Sequence, residues 1–185
     1  MQDVYRLDSE DVIVGRVESG TLRRGHELIF QPSGIQERVE KIWVYPRDVE
    51  EAKIGDCIGI VIENEVRRGD IGGYVENPPS VVDRFLGEVV LLEGTLKRGD
   101  AFETKCGTKR TKCLVKEIKE RINSETGEVM RKNTGKIEEN EAATIIFETD
   151  PLVLEKFSEI PELGRFVIAR KNKNVGAGVV LENKI

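Results

Sequence analysis

One histidine and three cysteines are the only imidazole and thiol groups in this 185-residue chain. His26, Cys57, Cys106 and Cys113 are scattered along it, and the six residues between Cys106 and Cys113 do not make a zinc spacing. A four-ligand zinc site is therefore not expected, and no metal is assigned. The odd cysteine count, without a signal-peptide pattern, reads as reduced thiols in a cytosolic setting. No run approaches the ~18 apolar residues of a spanning helix, so no membrane partner is expected and the reading is cytoplasmic. A basic excess is also missing: 29 Lys and Arg stand against 34 Asp and Glu, a net charge of −5. Any contact with RNA must then be local, or shared with another domain.

The chemistry of an active site is absent as well. No Gly-x-x-x-x-Gly-Lys sequence leads into Ser or Thr, since Gly135-Lys136 is followed by Ile137. Asp56-x-x-Gly59 and Asp70-x-x-Gly73 match a short GTPase pattern but fall inside strand-like runs, and Asn172-Lys173-Asn174-Val175 lacks the aspartate that reads guanine. Without a phosphate cradle the chain is not expected to bind GTP by itself. His26 has no nucleophile near it in sequence, and the acidic residues are dispersed. No catalytic residue and no cofactor are assigned.

What the chain does have is a repeat. Gly20-Thr21-Leu22-Arg23-Arg24-Gly25 returns 74 positions later as Gly94-Thr95-Leu96-Lys97-Arg98-Gly99, and each copy leads into a short strand (His26 to Phe30, Ala101 to Thr104). Glycines at both ends suit a sharp reversal, and the leucine anchors it to a core. Strand-like runs punctuated by glycine fill both halves: Val12 to Val17, Glu27 to Phe30, Gln36 to Val44, Asp56 to Ile62 and Ile71 to Val75, then Arg84 to Leu92, Thr111 to Ile122, Ala142 to Glu148, Gly164 to Arg170 and Gly176 to Leu181. Pro32-Ser33-Gly34 and Asn123 to Gly127 read as turns, and Arg131 to Glu139 reads as a polar loop. Lys116 to Ile122 fits a helical turn, although its apolar positions alternate equally well. Asn77-Pro78-Pro79-Ser80 is the clearest boundary, because successive prolines cannot continue a ladder. The fold class is all-β: two tandem small β-barrels, residues 1–76 and 81–185, joined by a proline-rich linker at 77–80.

Gly15-Arg16-Val17-Glu18-Ser19-Gly20 with Leu22-x-x-Gly25, Ile54-Gly55-Asp56-x-x-Gly59 and Arg68-Gly69-Asp70 resemble the second domain of translational GTPases such as elongation factor Tu and elongation factor 1-alpha. Leu154-Glu155-x-Phe157, Pro161-x-Leu163-Gly164-Arg165-Phe166 and Val175-Gly176-x-Gly178 resemble the end of their third domain. The resemblance implies two elongation-factor-type barrels without their GTP-binding domain, which would join ahead of Met1 and carry the GTP and Mg²⁺. Gln2 to Arg6, Pro32-Ser33-Gly34 with Arg38-Val39, Asn77-Pro78-Pro79 with Asp83-Arg84-Phe85, Gly107 to Thr111 and Val175 to Gly178 look more like the GTPase subunit of ATP sulfurylase. Phe157 to Phe166 looks more like elongation factor 1-alpha or a termination-factor GTPase.

Within this resemblance, Asp3 and Tyr5 fit the acidic and aromatic positions of the pocket that holds an aminoacylated tRNA end. The other acidic position falls on Trp43 and the arginine position on Pro46, with Arg47 displaced by one. Trp43 and Tyr45 read as strand-end packing or as a stacking platform. The pairs Arg23-Arg24, Arg67-Arg68 and Lys97-Arg98, with Lys109 and Arg110 in a cationic stretch, read as solvated turn charges or as a patch for RNA or an acidic partner. The implied role is to couple the nucleotide state of a GTP-binding domain to a partner. That partner is the ATP sulfurylase catalytic subunit in the first reading, and aminoacyl-tRNA with the ribosome in the alternative.

Overall fold

The repeated hexapeptides take the same shape twice. In the computed structural model, which describes residues 1–7, 10–63, 66–123, 126–132 and 134–185 (side chains of 6, 7, 10 and 11 left aside), Leu22 and Leu96 are both buried. The closing glycines donate to equivalent carbonyls, Gly25 N–H to Val39 O and Gly99 N–H to Val115 O, both at 2.8 Å. Gly99 has φ +88°, and the next residue closes a four-residue turn, Asp100 N–H to Lys97 O at 3.1 Å. Asp100 Oδ2 in turn accepts the Lys97 N–H at 3.0 Å. The same clasp recurs at Lys53–Asp56, at Arg67–Asp70 and, with Asn140 in place of glycine, at Glu138–Glu141. Glycine is favoured at the third position because the left-handed region carries no Cβ penalty there. Asp56 and Asp70, read in sequence as chance matches to a GTPase pattern, are the carboxylates that tie these turns.

Contacts divide the chain into Met1–Pro79 and Ser80–Ile185. Among the described residues the first unit contains Asp3–Leu7 (β1), Glu10–Arg16 (β2), Thr21–Arg23 (β3), Glu27–Gln31 (β4), Ile35–Arg38 (β5), Lys41–Val44 (β6), Arg47–Val49 (β7), Glu51–Lys53 (β8), Cys57–Val61 (β9) and Ile71–Tyr74 (β10). They form sheets ordered β1-β2-β9-β6-β7, β10-β4-β5 and β3-β8. Ile13, Leu28, Phe30, Val39, Ile42 and Ile60 lead the core between them. The run from Gln36 to Val44 is two strands rather than one. Val39 N–H bonds His26 O while Glu40 N–H bonds Val61 O, so the chain leaves one sheet and enters another between adjacent residues.

The second unit contains Val81–Leu91 (β11), Thr95–Lys97 (β12), Ala101–Cys106 (β13), Lys109–Ile122 (β14), Val129–Lys132 (β15), Lys136–Glu138 (β16), Ala142–Val153 (β17), Arg165–Arg170 (β18) and Lys173–Glu182 (β19). Six of them close a ring, β13-β18-β19-β11-β17-β14, with β14 pairing back to β13 and β15 attached outside. A barrel this small is filled by side chains. Phe85, Phe102, Phe147 and Phe166 supply much of the volume, with neighbouring ring centroids 5.1 to 5.8 Å apart, mostly edge to face.

Lys116 to Ile122 is strand, with two register shifts against β17, which is why its apolar spacing also looked helical. The expected polar loop at 131–139 holds the end of β15 and all of β16, strands without an apolar alternation to reveal them. The tip of the turn expected at Asn123 to Gly127, residues 124 and 125, lies outside the described residues. Pro151 sits within β17, where the partner strand shifts register between Val82 and Arg84, a place where a missing N–H is tolerated. Among the described residues no helix is long and apolar enough to cross a membrane.

The β18–β19 turn places two non-glycine residues at positive φ, Lys171 at 49° and Asn172 at 66°. Both central positions of such a turn favour Asn-Gly. Lys171→Asn with Asn172→Gly is expected to stabilise the second unit by about 1 kcal/mol, read as a higher denaturation midpoint at unchanged slope.

Candidate functional site

The sheet register decides which of the candidate residues share a surface. Asp3 pairs with Val14, Val14 with Gly59, Gly59 with Trp43 and Trp43 with Asp48. Directly paired residues lie on one face, so Asp3, Trp43 and Asp48 form one row across five strands. Tyr5, two residues from Asp3, heads the next row on the same face through Val12, Val61 and Lys41. That face is the outer one, because Val4, Ile13 and Ile60 point the other way into the core.

Tyr5 is 53% exposed, whereas Trp43 is half-buried. A Cβ at Gly59 would lie 3.0 Å from Val12 Cγ1 and 3.6 Å from Trp43 Cε3, so the indole covers the bare backbone of Gly59 beside buried Val12. Asp3 Oδ1 accepts the Val4 N–H at 3.0 Å. Asp3 and Trp43 are three strands apart, on the order of 14 Å. They therefore form a broad platform instead of a closed pocket.

Tyr45 and Arg47 lie at the β6–β7 turn. Tyr45 is 95% exposed, and Arg47 pairs with Val44, one register position from Trp43 and so on the opposite face. The structure thus brings Asp3, Tyr5 and Trp43 onto one surface and turns Arg47 away from it.

The paired cations separate into two classes. Arg23 reaches Glu51 at 3.5 Å, Arg24 reaches Glu50 at 3.2 Å and Arg110 reaches Glu103 at 3.6 Å. Exposed pairs of this kind contribute little stability, but they cancel charge locally. Arg67 and Arg68 are exposed, Lys109 is half-buried, and none has a carboxylate partner among the described residues.

A different cluster gathers at one end of the second barrel. Arg170 donates to Thr95 O at 2.8 Å and to Asp100 Oδ2 at 2.7 Å. Lys173 pairs with Glu93, and Lys105 donates to Asn174 Oδ1 at 2.8 Å. These contacts hold the Gly94–Gly99 turn against the β18–β19 turn. Lys97, Arg98, Lys105 and Lys171 remain there without a carboxylate partner among the described residues. Sequence reading found the Lys97-Arg98 pair and a cationic stretch that Lys105 opens, but not Lys171; the sheet sets Lys105 opposite Val167, from where it reaches Asn174 of β19.

Residues 84–181 match the GTP-eEF1A C-terminal domain-like family, and residues 11–72 match elongation factor Tu domain 2. The chain belongs to the elongation factor Tu/1-alpha family. Elongation factor 1-alpha of Methanothermobacter thermautotrophicus is 34% identical over 190 residues, covering 98% of this chain and 46% of the relative. Elongation factor 1-alpha of Methanothrix thermoacetophila is 36% identical over 187 residues, covering 97% and 44%. The chain therefore spans about half the length of these curated relatives. The solved structure of sup35 complexed with GDP shares the fold, with a TM-score of 0.91 at 18% identity over 97% of this chain and 45% of that one. Both elongation-factor barrels are accordingly present, in the family's order.

Proposed function

We propose that these barrels are the second and third domains of a translational GTPase of the elongation factor 1-alpha type, and that they engage tRNA and the ribosome in the cytoplasm. GTP and Mg²⁺ then belong to a GTP-binding domain, and the barrels carry its nucleotide state to the RNA by rigid-body rearrangement. The observation that carries the RNA contact is the cationic end of the second barrel. In a chain of net charge −5, the carboxylates at this end, Glu93 and Asp100, are taken by Lys173 and Arg170, which leaves Lys97, Arg98, Lys105 and Lys171 without a carboxylate partner among the described residues. A local patch of this kind attracts a phosphate backbone in spite of the overall sign. Lys171 is also held at φ +49°, and strained backbone of this sort is concentrated at functional surfaces.

Similarity to elongation factors 1-alpha along nearly all of this chain favours this reading over sulfate activation, which rests on short segments. The feature that favours sulfate activation is the platform of the first barrel, where Trp43 and Pro46 replace an acid and an arginine. An indole offers no acceptor to a ribose, and proline offers no cation.

Neutralising Lys97, Arg98, Lys105 and Lys171 together to glutamine is expected to weaken tRNA binding at least tenfold near 0.1 M salt. The dependence of log K on log salt should also become shallower by about three. Filter binding across a salt series measures both. Unchanged affinity and slope would overturn the assignment of the patch. Absence of tRNA binding by the parent chain, together with retention of an ATP sulfurylase catalytic subunit, would move the chain to sulfate activation.

A further inference from the structure

In the β14–β15 pair, Glu120 faces Lys132 and Arg121 faces Arg131, and Ile122 faces Val129. The first pairing is complementary, with Lys132 Nζ 3.6 Å from Glu120 Oε1, and the third is apolar. The middle one sets two guanidinium groups directly opposite each other, an arrangement that destabilises an antiparallel pair. Arg121 is partly offset by Glu141. Its Nε–H is nevertheless buried and has no acceptor among the described residues, a state native proteins rarely leave unexplained. Arg131 has no carboxylate partner among the described residues.

These two arginines line a cavity of about 280 Å³ together with Thr134, Gly135, Lys136, Glu138 and Glu141. Its two carboxylates are already engaged. Glu141 pairs with Arg121 and accepts the Glu138 N–H through Oε2 at 3.0 Å. Glu138 takes the Lys136 ammonium, which holds its carboxyl below the ordinary carboxylate range. Three cations against two committed carboxylates leave one positive charge, one unused buried N–H and one unengaged guanidinium around a cavity with room for a tetrahedral oxyanion and some of its water.

From this juxtaposition we infer that the cavity between β14, β15 and the 134–136 segment is an anion site for a phosphate group, bridged by Arg121 and Arg131. The anion accepts from the orphaned Arg121 Nε–H and from the Arg131 fork, and it removes the like-charge conflict between the strands. The site adjoins the Lys97–Arg98 turn, since Lys97 pairs with Lys136 and Arg98 N–H donates to Gly135 O at 3.3 Å, but it does not depend on the proposed translational role. Its phosphate comes either from free inorganic phosphate or from an RNA backbone.

The test is a titration of the ¹⁵N-labelled 185-residue chain, following the arginine Nε–H resonances. One arm uses inorganic phosphate and the other an RNA duplex at equal phosphate concentration. Saturable movement of the Arg121 Nε–H signal at low millimolar phosphate, weakened about tenfold or more in Arg131→Gln, supports the site. Movement by phosphate alone names the free ion as the source, and movement by the duplex names the backbone. Arg131 is exposed on an edge strand, so its variant should fold, and Lys109→Gln serves as the charge control. A linear, unsaturable drift in both arms, or equal response in Arg131→Gln, overturns the proposal.

Discussion

Gly178→Ala is expected to cost the second unit about 3 kcal/mol or more, and Gly164→Ala a similar amount. A Cβ at Gly178 would stand 2.4 Å from Glu88 O, 2.7 Å from Phe166 Cζ and 2.8 Å from Val89 Cγ2. One at Gly164 would stand 2.4 Å from Phe157 Cα and 2.6 Å from Phe157 N. The nearest obstruction in each case is main chain, which cannot swing aside as a flexible side chain can. Gly178 lies in β19 between Val89 of β11 and Phe166 of β18, so any displacement opens the ring next to its aromatic core.

Gly94→Ala is the contrast. Nothing lies within 4 Å of its Cβ position, and its φ of +80° costs only about 1 kcal/mol on substitution. Trp43 and all three tyrosines lie in Met1–Pro79, so fluorescence does not report the second unit. Hydrogen exchange of β11, β17 and β19 is the appropriate readout. Equal losses of protection in Gly178→Ala and Gly94→Ala would show that the close approach is not limiting.

The parts of this fold that could be read from sequence are those where burial writes a two-residue alternation or where a turn demands glycine. β4, β9, β11 and β14 satisfy the first condition, and the hexapeptides satisfy the second. β15 and β16 satisfy neither, because β15 is wholly exposed and only Ile137 of β16 is buried. A strand that is all surface leaves no apolar record. The break at Val39–Glu40 was hidden for the opposite reason. Val39 and Ile42 are both completely buried, and a chain passing between two sheets under one core keeps its apolar pattern while changing its partners.

The candidate surfaces were less legible than the fold, since they are made by register. Asp3 and Trp43 are forty positions apart in sequence, and only the ladder through Val14 and Gly59 puts them in one row. Arg23 and Arg24 looked the equal of Lys97 and Arg98 in sequence. They differ because β3 pairs with β8, which carries Glu51 and is preceded by Glu50, whereas β12 pairs with β16, which sets Lys136 opposite Lys97. Charge cancellation across a sheet is invisible until the partner strand is known.

The thiols separate by reactivity to a degree that one titration can read. Cys57 is exposed, and Cys106 and Cys113 are buried in the core of the second unit. Burial pushes each buried thiol from 9.0 up to about 12, so both are neutral and sheltered at pH 8, while only a thiolate attacks a disulfide reagent. Native protein mixed with an aromatic disulfide reagent is expected to release one equivalent at once. The other two should follow at least about a thousandfold more slowly, at the rate at which β13 and β14 open. Because the folded pKa values are raised, these groups contribute stability that is fully present below pH 9 and is lost as pH rises from about 9 to about 12, where unfolding releases their protons. The slow phase should therefore accelerate as pH rises from about 9 to about 10.5, where opening becomes easier. Cys57→Ser should abolish the fast phase and leave the slow one intact. Two fast equivalents in the parent, or a slow phase that ignores pH in this window, would mean that β13 and β14 do not shield the sulfurs.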